Sequence, residues 1–424
     1  MTEAVSTRAL EALQVVVGDY AHALDPVESA AGCSLIGRIE PANGEELADC
    51  LRVFSTHGEP ALVMGAGTRL GFGNSARGVS LALSCRRMTG IEELDAADGV
   101  VHVLAGTPLA ELASQVEAEG WLLPLDPPDR GGTLGGVLGT AECGPRQRGF
   151  GPVRDAVLGL DTALASGERT RCGARVVKNV TGYDLSKLYV GSMGTLGVIE
   201  KAWLRLKPIP ASVRVVEVAV ADSEEPFALA VETARRSSAR AVAVVSGPAR
   251  AAGEKSDGFT LVAEFAGERP TTEADADWLA GGRAANLQDP ARLDALREQQ
   301  GERTPDSLHA RIHLLPRSLA ATCTRLKDQG AGLLVYPEPS VVHASFRGRD
   351  GAAGRPDEWE PTLGMLGEIS RMAGAEIVLT GLPESLRPGP DVFIGASELK
   401  LMRSIKQRFD PDGILNPGRF AGRI

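Results

Sequence analysis

The 424-residue chain has no C-x-x-C pair. Its six cysteines, Cys33, Cys50, Cys85, Cys143, Cys172 and Cys323, are scattered. Iron–sulfur and zinc-ribbon sites of the usual spacing are therefore excluded, so no metal site is expected. A disulfide framework is not expected either, and the thiols read as reduced and mostly buried. Basic charge is short, with 45 Lys+Arg against 55 Asp+Glu and a net charge of −10. Nothing is left over to displace counterions from a polyanion, so no nucleic-acid partner is expected. No apolar run reaches about 18 residues, so no membrane span is expected. The opening MTEAVSTRALEALQ lacks the basic-then-apolar layout of an export signal, which points to the cytoplasm. Without a G-x-S-x-G elbow, a serine hydrolase has no nucleophile loop. Asn179-Val180-Thr181 is a glycosylation sequon and reads as accidental in a chain that is not exported.

Glycine is abundant, 50 residues of 424, and much of it is clustered. From Ile39 onward, helical and strand patterns alternate. Asn43 followed by Glu46 reads as a capping box for a helix to His57, with Leu47, Cys50, Leu51 and Phe54 facing a core. Ala61–Met64, Val79–Cys85 and Val100–Gly106 read as strands. Thr107-Pro108 reads as cap and first turn of a helix whose apolar stripe is Leu109, Leu112 and Val116. The stretch 126–151, with Pro127, Pro128 and many glycines, reads mostly as a functional loop. Beyond Pro208–Pro210 the pattern becomes an α+β layer structure. It has strands at 213–220, 240–245, 259–265, 310–315, 332–336 and 341–347, and helices at 224–237 and 271–279. A last helix, 397–409, turns Leu399, Met402, Ile405 and Phe409 inward and stops at Asp410-Pro411.

Three glycine clusters carry the chemistry. Gly65-Ala66-Gly67-Thr68-Arg69-Leu70-Gly71 follows a strand, but its G-x-G-x-x-x-G spacing is not the Rossmann fingerprint, and it lacks the Gly-Lys-Ser/Thr of a P-loop. By itself it is compatible with a phosphate-binding loop or with an ordinary turn. The second cluster runs from Gly131 to Ala141 and would let a flat ring or a diphosphate lie against main chain, with Thr133 and Thr140 as hydroxyl donors. The third, Gly191–Ile199, is a loop entering a strand. Three such clusters, each after its own run of regular structure, are harder to explain by turns alone.

Taken in order, VMGAGTRLGFG, AGTPLAELASQVEAEGWLLPLDPP, GGTLGGVLGT, RGFGPVRDAVLGLDTALASGE, VVKNVTGYDLSKLYVGSMGTLGVIEKAWLRLKP and RSIKQRFDPDGILNPGRF resemble the FAD-binding family of vanillyl-alcohol oxidase type, the PCMH-type fold. KNVTGYDLSKL and DPDGILNPGRF resemble most the FAD-binding subunits of bacterial glycolate oxidases (glycolate dehydrogenases) within it. The resemblance implies an α+β protein: a two-subdomain PCMH-type FAD-binding domain with an inserted α+β cap. Its bounds would be an N-terminal extension 1–36, an FAD domain 37–210, a cap for substrate or partner 211–394, and a segment 395–424 returning to the FAD domain.

It also implies site residues. Gly65, Ala66, Gly67, Thr68, Arg69 and Leu70 would hold the FAD pyrophosphate. Thr133, Gly136, Gly139, Thr140 and Ala141 would line flavin and diphosphate. Val198 and Ile199 would present main chain to the adenine or ribose end, and Asn416 would close over the flavin. Some relatives attach FAD covalently through a histidine in the first loop. Thr68 and Arg69 stand there in this chain, so non-covalent FAD is expected.

The implied activity is oxidation of glycolate or a similar small 2-hydroxy acid. Electrons would pass to a larger flavin subunit and an iron–sulfur subunit of a glycolate oxidase-type complex, and that complex could hold the chain at the inner membrane. Larger family members carry a HxGDGNxH-like metal-site segment, which 211–391 lacks. What remains for the substrate is His343 with Arg347, weak catalytic candidates, and the His309, Arg311, His313 face of LHARIHL, where an arginine could bind a carboxylate. Two alternatives stay open: an electron-relay or assembly subunit without its own substrate site, and a stand-alone flavin oxidoreductase for another alcohol or aldehyde.

Overall fold

The computed structural model describes residues 2–175, 184–220, 226–246, 258–302, 304, 306–348, 356–383, 386 and 389–424. The VVKNVTGY stretch with its Asn179 sequon lies outside them. Two lobes come first. In one, strands Ala21–Ala30, Cys33–Ile39, Leu81–Ser84 and Ala61–Met64 lie side by side in that order, the last three mutually parallel. Helices Thr2–Val17 and Gly44–His57 pack on this sheet. The second helix forms where its cap places it. Asn43 Oδ1 accepts from the N–H groups of Glu45 and Glu46, both at 3.0 Å, and the Glu46 carboxylate reaches back to Ala42 N–H. Leu47, Cys50, Leu51 and Phe54 are all fully buried, as their spacing requires.

The second lobe is an antiparallel sheet in the order Ile91–Asp95, Val100–Leu104, Val198–Arg205, Val157–Ala163, Arg169–Gly173. Helix Leu109–Ala118 covers it with Leu109, Leu112 and Val116. Thr107 does not cap this helix. Its hydroxyl donates to Leu104 O at 2.7 Å and accepts from Gly90 N–H, so it closes the preceding turn instead. The 126–151 stretch is also more regular than its composition suggests. Residues Leu134–Thr140 form a helix whose cap is Thr133, accepting from Gly136 N–H at 3.3 Å.

From Ser212 the chain builds a nine-stranded antiparallel sheet. Its order is Ala285–Gln288, Ser212–Val220, Phe259–Gly267, Ala239–Ser246, Gly332–Tyr336, Val341–Arg347, Ser307–His313, Glu376–Gly381, Phe393–Ile394. One face packs a large core beneath helices Pro226–Ala234, Arg269–Ala280, Leu319–Asp328 and Glu360–Ala373. The other face carries a smaller core of Val215, Ala241, Ala243, Val262, Leu334, Tyr336 and Val341 under helix Ala291–Gly301. Strand alternation therefore turns His309, Arg311 and His343 away from the large core, because Leu308, Ala310, Ile312, Val342 and Ala344 fill it. The last helix, Leu399–Phe409, differs from its expected burial. Ile405 and Phe409 pack on the second lobe, but no residue of the helix is fully buried. No helix among the described residues is long and apolar enough to cross a membrane.

Candidate functional site

A cavity opens between the two lobes. The three glycine clusters and the returning tail meet at it. Gly65–Leu70, Thr133, Gly136, Gly139, Thr140, Val198, Ile199 and Asn416 all line its wall. Ala141 does not. It ends the Leu134–Thr140 helix in the left-handed region (φ 51°) and donates its N–H to Val137 O.

The first loop leaves strand Ala61–Met64 and turns at Gly67, whose φ of +84° suits glycine. Among the described residues, Leu70 is the one member of 66–70 whose backbone N–H meets a protein acceptor, Gly67 O at 3.3 Å. The N–H groups of residues 66–69 are thus left for an anion, as in a phosphate nest. Across the cavity, Gly65 sits so close to the capping threonine that a Cβ would lie 2.0 Å from Thr133 Oγ1. Arg69 turns toward the second lobe. Its side chain donates to Asp129 O and sits 3.5 Å from the Glu142 carboxylate. Burial lowers the pKa of this guanidinium, with Glu142 and Asp129 opposing the shift.

The second and third clusters are tied together. Gly191 N–H donates to Leu138 O at 2.9 Å and Met193 N–H to Gly139 O at 2.8 Å. A Cβ on Gly139 would meet no protein atom within 4 Å, so the cavity wall there is bare main chain. The two threonine hydroxyls expected as ligand donors have local partners, Thr133 as the helix cap and Thr140 donating to Gly136 O at 3.0 Å.

The tail closes the wall as an added strand segment. Ala61 N–H donates to Ile414 O and Asn416 N–H to Ala61 O. Asn416 adopts φ 46°, which asparagine tolerates. Its side chain accepts from Val63 N–H at 2.8 Å and donates to Met193 O at 2.7 Å, joining both lobes. Three supports were not expected from the sequence. Arg419 collects the carbonyls of Leu70, Phe72 and Asn74 at 3.0, 2.6 and 2.8 Å. Lys406 donates to Thr195 O and Leu415 O, its pKa lowered by burial against the opposing charge of Asp410. Asp410 in turn accepts from Ile414 and Leu415 N–H. Cys85 lines the same cavity, but burial and the nearby Glu200 charge push its thiol up to about 12, so it is no nucleophile.

Bare N–H groups over one loop and bare main chain at Gly139 fit a dinucleotide with a diphosphate and a flat ring. Residues 36–173 match the family described as "FAD binding domain", and 392–420 match "FAD linked oxidases, C-terminal domain". The chain carries a PCMH-type FAD-binding domain, and its cofactor is FAD.

It is 35% identical over 173 residues to the glycolate oxidase subunit GlcD of Bacillus subtilis and 37% identical over 153 residues to the subunit GlcE of Escherichia coli. These matches cover 41% and 36% of this chain, but only 37% and 43% of those relatives. A D-lactate dehydrogenase of Archaeoglobus fulgidus is 28% identical over 415 residues, 91% of each chain. Among solved structures, p-cresol methylhydroxylase with substrate bound has the same fold, with a TM-score of 0.71 at 16% identity over 98% of this chain and 97% of that one.

The cap candidates lie elsewhere. His309, His343 and Arg347 line a cap cavity of about 790 Å³ that shares no residue with the FAD cavity. Between the two lies a junction hollow of about 1530 Å³. It shares Thr68 and Arg69 with the FAD cavity, and Thr304 and Thr380 with the cap cavity. Arg311 stands opposite His343 on the neighbouring strand, its guanidinium 5.4 Å from the Phe72 ring on the hollow's wall. His313 is exposed at the strand end. No group of three or more His, Cys, Asp or Glu among the described residues is placed to hold a metal ion.

Replacing Asn416 by alanine is expected to strand Val63 N–H and Met193 O. The cost is on the order of 2–4 kcal/mol, and FAD affinity should fall with it. Fluorescence of flavin released on mild dilution would check this. Wild-type retention of FAD in the variant would show that the tail is not part of the cofactor wall.

Proposed function

We propose that the chain is an FAD-dependent oxidoreductase acting on small 2-hydroxy acids such as glycolate or lactate, with non-covalent FAD in the cavity between the two lobes. The observation that carries this reading is the junction hollow, which adjoins the FAD cavity at Thr68 and Arg69 and is roofed by the cap. The names of the relatives, glycolate oxidase subunits and a D-lactate dehydrogenase, support the same chemistry. FAD, when bound, supplies the two-electron acceptor.

The protein's part is to hold and orient. Arg419 and Asn416 brace the cofactor loop and the strand before it, the 66–69 N–H groups face the diphosphate, and the cap roofs part of the hollow. Two carboxylates line the hollow, Asp129 and Glu142. Glu142 is 7% exposed and sits beside Arg69, and it is the one we assign to take the substrate's hydroxyl proton. Glu142→Gln should therefore retain FAD and lower turnover by roughly 10²–10⁴-fold. A variant with wild-type turnover would remove Glu142 from the mechanism.

A relay role for this chain, with oxidation on a larger flavin partner, is the second reading. It is favoured by the distance in the fold between the His343–Arg347 pair and the FAD cavity. Dye reduction by 2-hydroxy acids, measured with the chain alone and with flavin and iron–sulfur partner subunits added, separates the two. Equal rates place oxidation here, and activity confined to the assembly assigns this chain to relay.

A further inference from the structure

Arg69 stands where the FAD cavity and the junction hollow share a wall, and it lines both. Among the described residues lining the hollow, it is the one basic side chain. That side chain is 8% exposed, yet its hydrogen bonding is incomplete. Nη2 donates to Asp129 O, and Nη1 donates to Thr68 Oγ1 at 3.3 Å. The buried Nε faces Glu142 Oε2 at 3.5 Å without forming a hydrogen bond. The Asp129 carboxylate stands 4.0 Å from Nη1, beyond hydrogen-bond reach. A guanidinium has five N–H donors, so three are left over. Unmatched donors at a buried site cost stability unless an acceptor completes them.

The fold also reserves room for this side chain. A Cβ on Gly132 would lie 2.1 Å from Arg69 Nη1 and 2.9 Å from Thr68 Oγ1, so the second glycine cluster is bare where the guanidinium lies. The diphosphate has donors of its own in the main-chain N–H groups of 66–69. We propose that the Arg69 guanidinium binds the carboxylate of the 2-hydroxy acid, not the FAD diphosphate. This rests on the 2-hydroxy-acid reading above. Such an acid carries its hydroxyl on the carbon next to the carboxylate, so the anchor and the base must be neighbours. Arg69 and Glu142 meet that demand. A 3-hydroxy acid would place its hydroxyl one carbon too far from its anchor.

The test is calorimetric titration of the FAD-loaded protein with pyruvate and with pyruvamide, its neutral counterpart. Neither carries a hydroxyl to oxidise, so no turnover is needed. Pyruvate should bind at least about tenfold tighter, the size of one hydrogen bond to a charged group. Arg69→Gln should erase most of that preference while keeping FAD and pyruvamide binding. Gly132→Ala, which displaces the guanidinium without removing it, should weaken the preference too, and it carries the test if Arg69→Gln does not fold. Equal affinity for the two ligands, or no pyruvate binding at all, overturns the proposal. So does a preference that survives both substitutions. FAD lost from a folded Arg69→Gln variant overturns it as well, by giving the guanidinium to the diphosphate. Flavin bleaching by lactate is scored separately. Bleaching without pyruvate preference sinks the anchor alone, and pyruvate preference without bleaching sinks the oxidation reading alone.

Discussion

Gly65→Val is expected to yield a folded protein that carries no flavin. At Gly65 even a methyl would lie 2.0 Å from Thr133 Oγ1, and that oxygen is held in place as the cap of helix Leu134–Thr140. The loop must therefore move off the second lobe, taking the 66–69 N–H groups with it. Overpacking of this kind costs about 1–3 kcal/mol, or roughly 5- to 150-fold in affinity. Displacement of the anion-facing N–H groups adds to that. Gly67→Val should act in the same direction through its φ of +84° and a Met64 Cε only 3.0 Å from the new Cβ. Absorbance at the flavin band relative to protein after desalting checks both. Full occupancy in Gly65→Val would mean that the two lobes do not meet over the cofactor.

The second large effect concerns how the cap is held. Arg146, from the FAD domain, reaches into the cap. It sits 3.0 Å from Glu264 and 2.9 Å from Asp294, and it also pairs with Asp126 at 3.4 Å. Arg240 and Arg297 complete the cluster at 2.6 Å from Glu264 and 3.3 Å from Asp126. The Glu264 and Asp126 side chains are 0% and 2% exposed. Arg146→Met is expected to destabilise the protein by about 1–3 kcal/mol, because it removes charge-assisted hydrogen bonds and leaves the buried Glu264 and Asp126 with one arginine each, Arg240 and Arg297.

The pH response follows. Burial pushes the Glu264 carboxyl upward, but Arg240 and Arg146 outweigh it and hold the group below its ordinary value. A depressed carboxyl stabilises the fold above its unfolded pKa, and the benefit is lost as pH falls through the folded one. Removing Arg146 weakens that hold, so the acid-unfolding midpoint should move to higher pH as the neutral-pH melting temperature drops. Urea and acid titrations would check both. An unchanged acid midpoint would mean that Arg146 is not what keeps Glu264 ionised.

Much of the cofactor wall is legible in the sequence because its parts are short and local. Asn43 with Glu46 announces a helix, the first glycine cluster leaves strand Ala61–Met64 at the cavity, and the third enters strand Val198–Arg205 there. What was not legible is of two kinds. Helix Leu134–Thr140 is hidden by glycines of low helix propensity. Only tertiary bonds, Leu134 N–H to Thr107 O and Gly135 N–H to Ala105 O, make it pay. Arg419 and the Arg146–Glu264 pair act across hundreds of residues of sequence or nearly so, 349 positions to Leu70 and 118 to Glu264, where no periodicity reaches. The placement of His343 and Arg347 belongs to the second kind. Strand alternation puts them on one face, but only the packing of cap on lobe shows that this face opens on its own cavity rather than on the cofactor's.

The most direct test of the account is a single anaerobic mixing experiment. The FAD-loaded protein is combined with glycolate, lactate or 2-hydroxyglutarate, and the flavin absorbance is followed. Bleaching by at least one of these acids within the mixing series, with the matching 2-oxo acid formed in equal amount to the FAD reduced, is the predicted result. Flavin that stays oxidised with all three, yet is bleached at once by dithionite, would contradict the claim that this chain oxidises 2-hydroxy acids at its own cofactor.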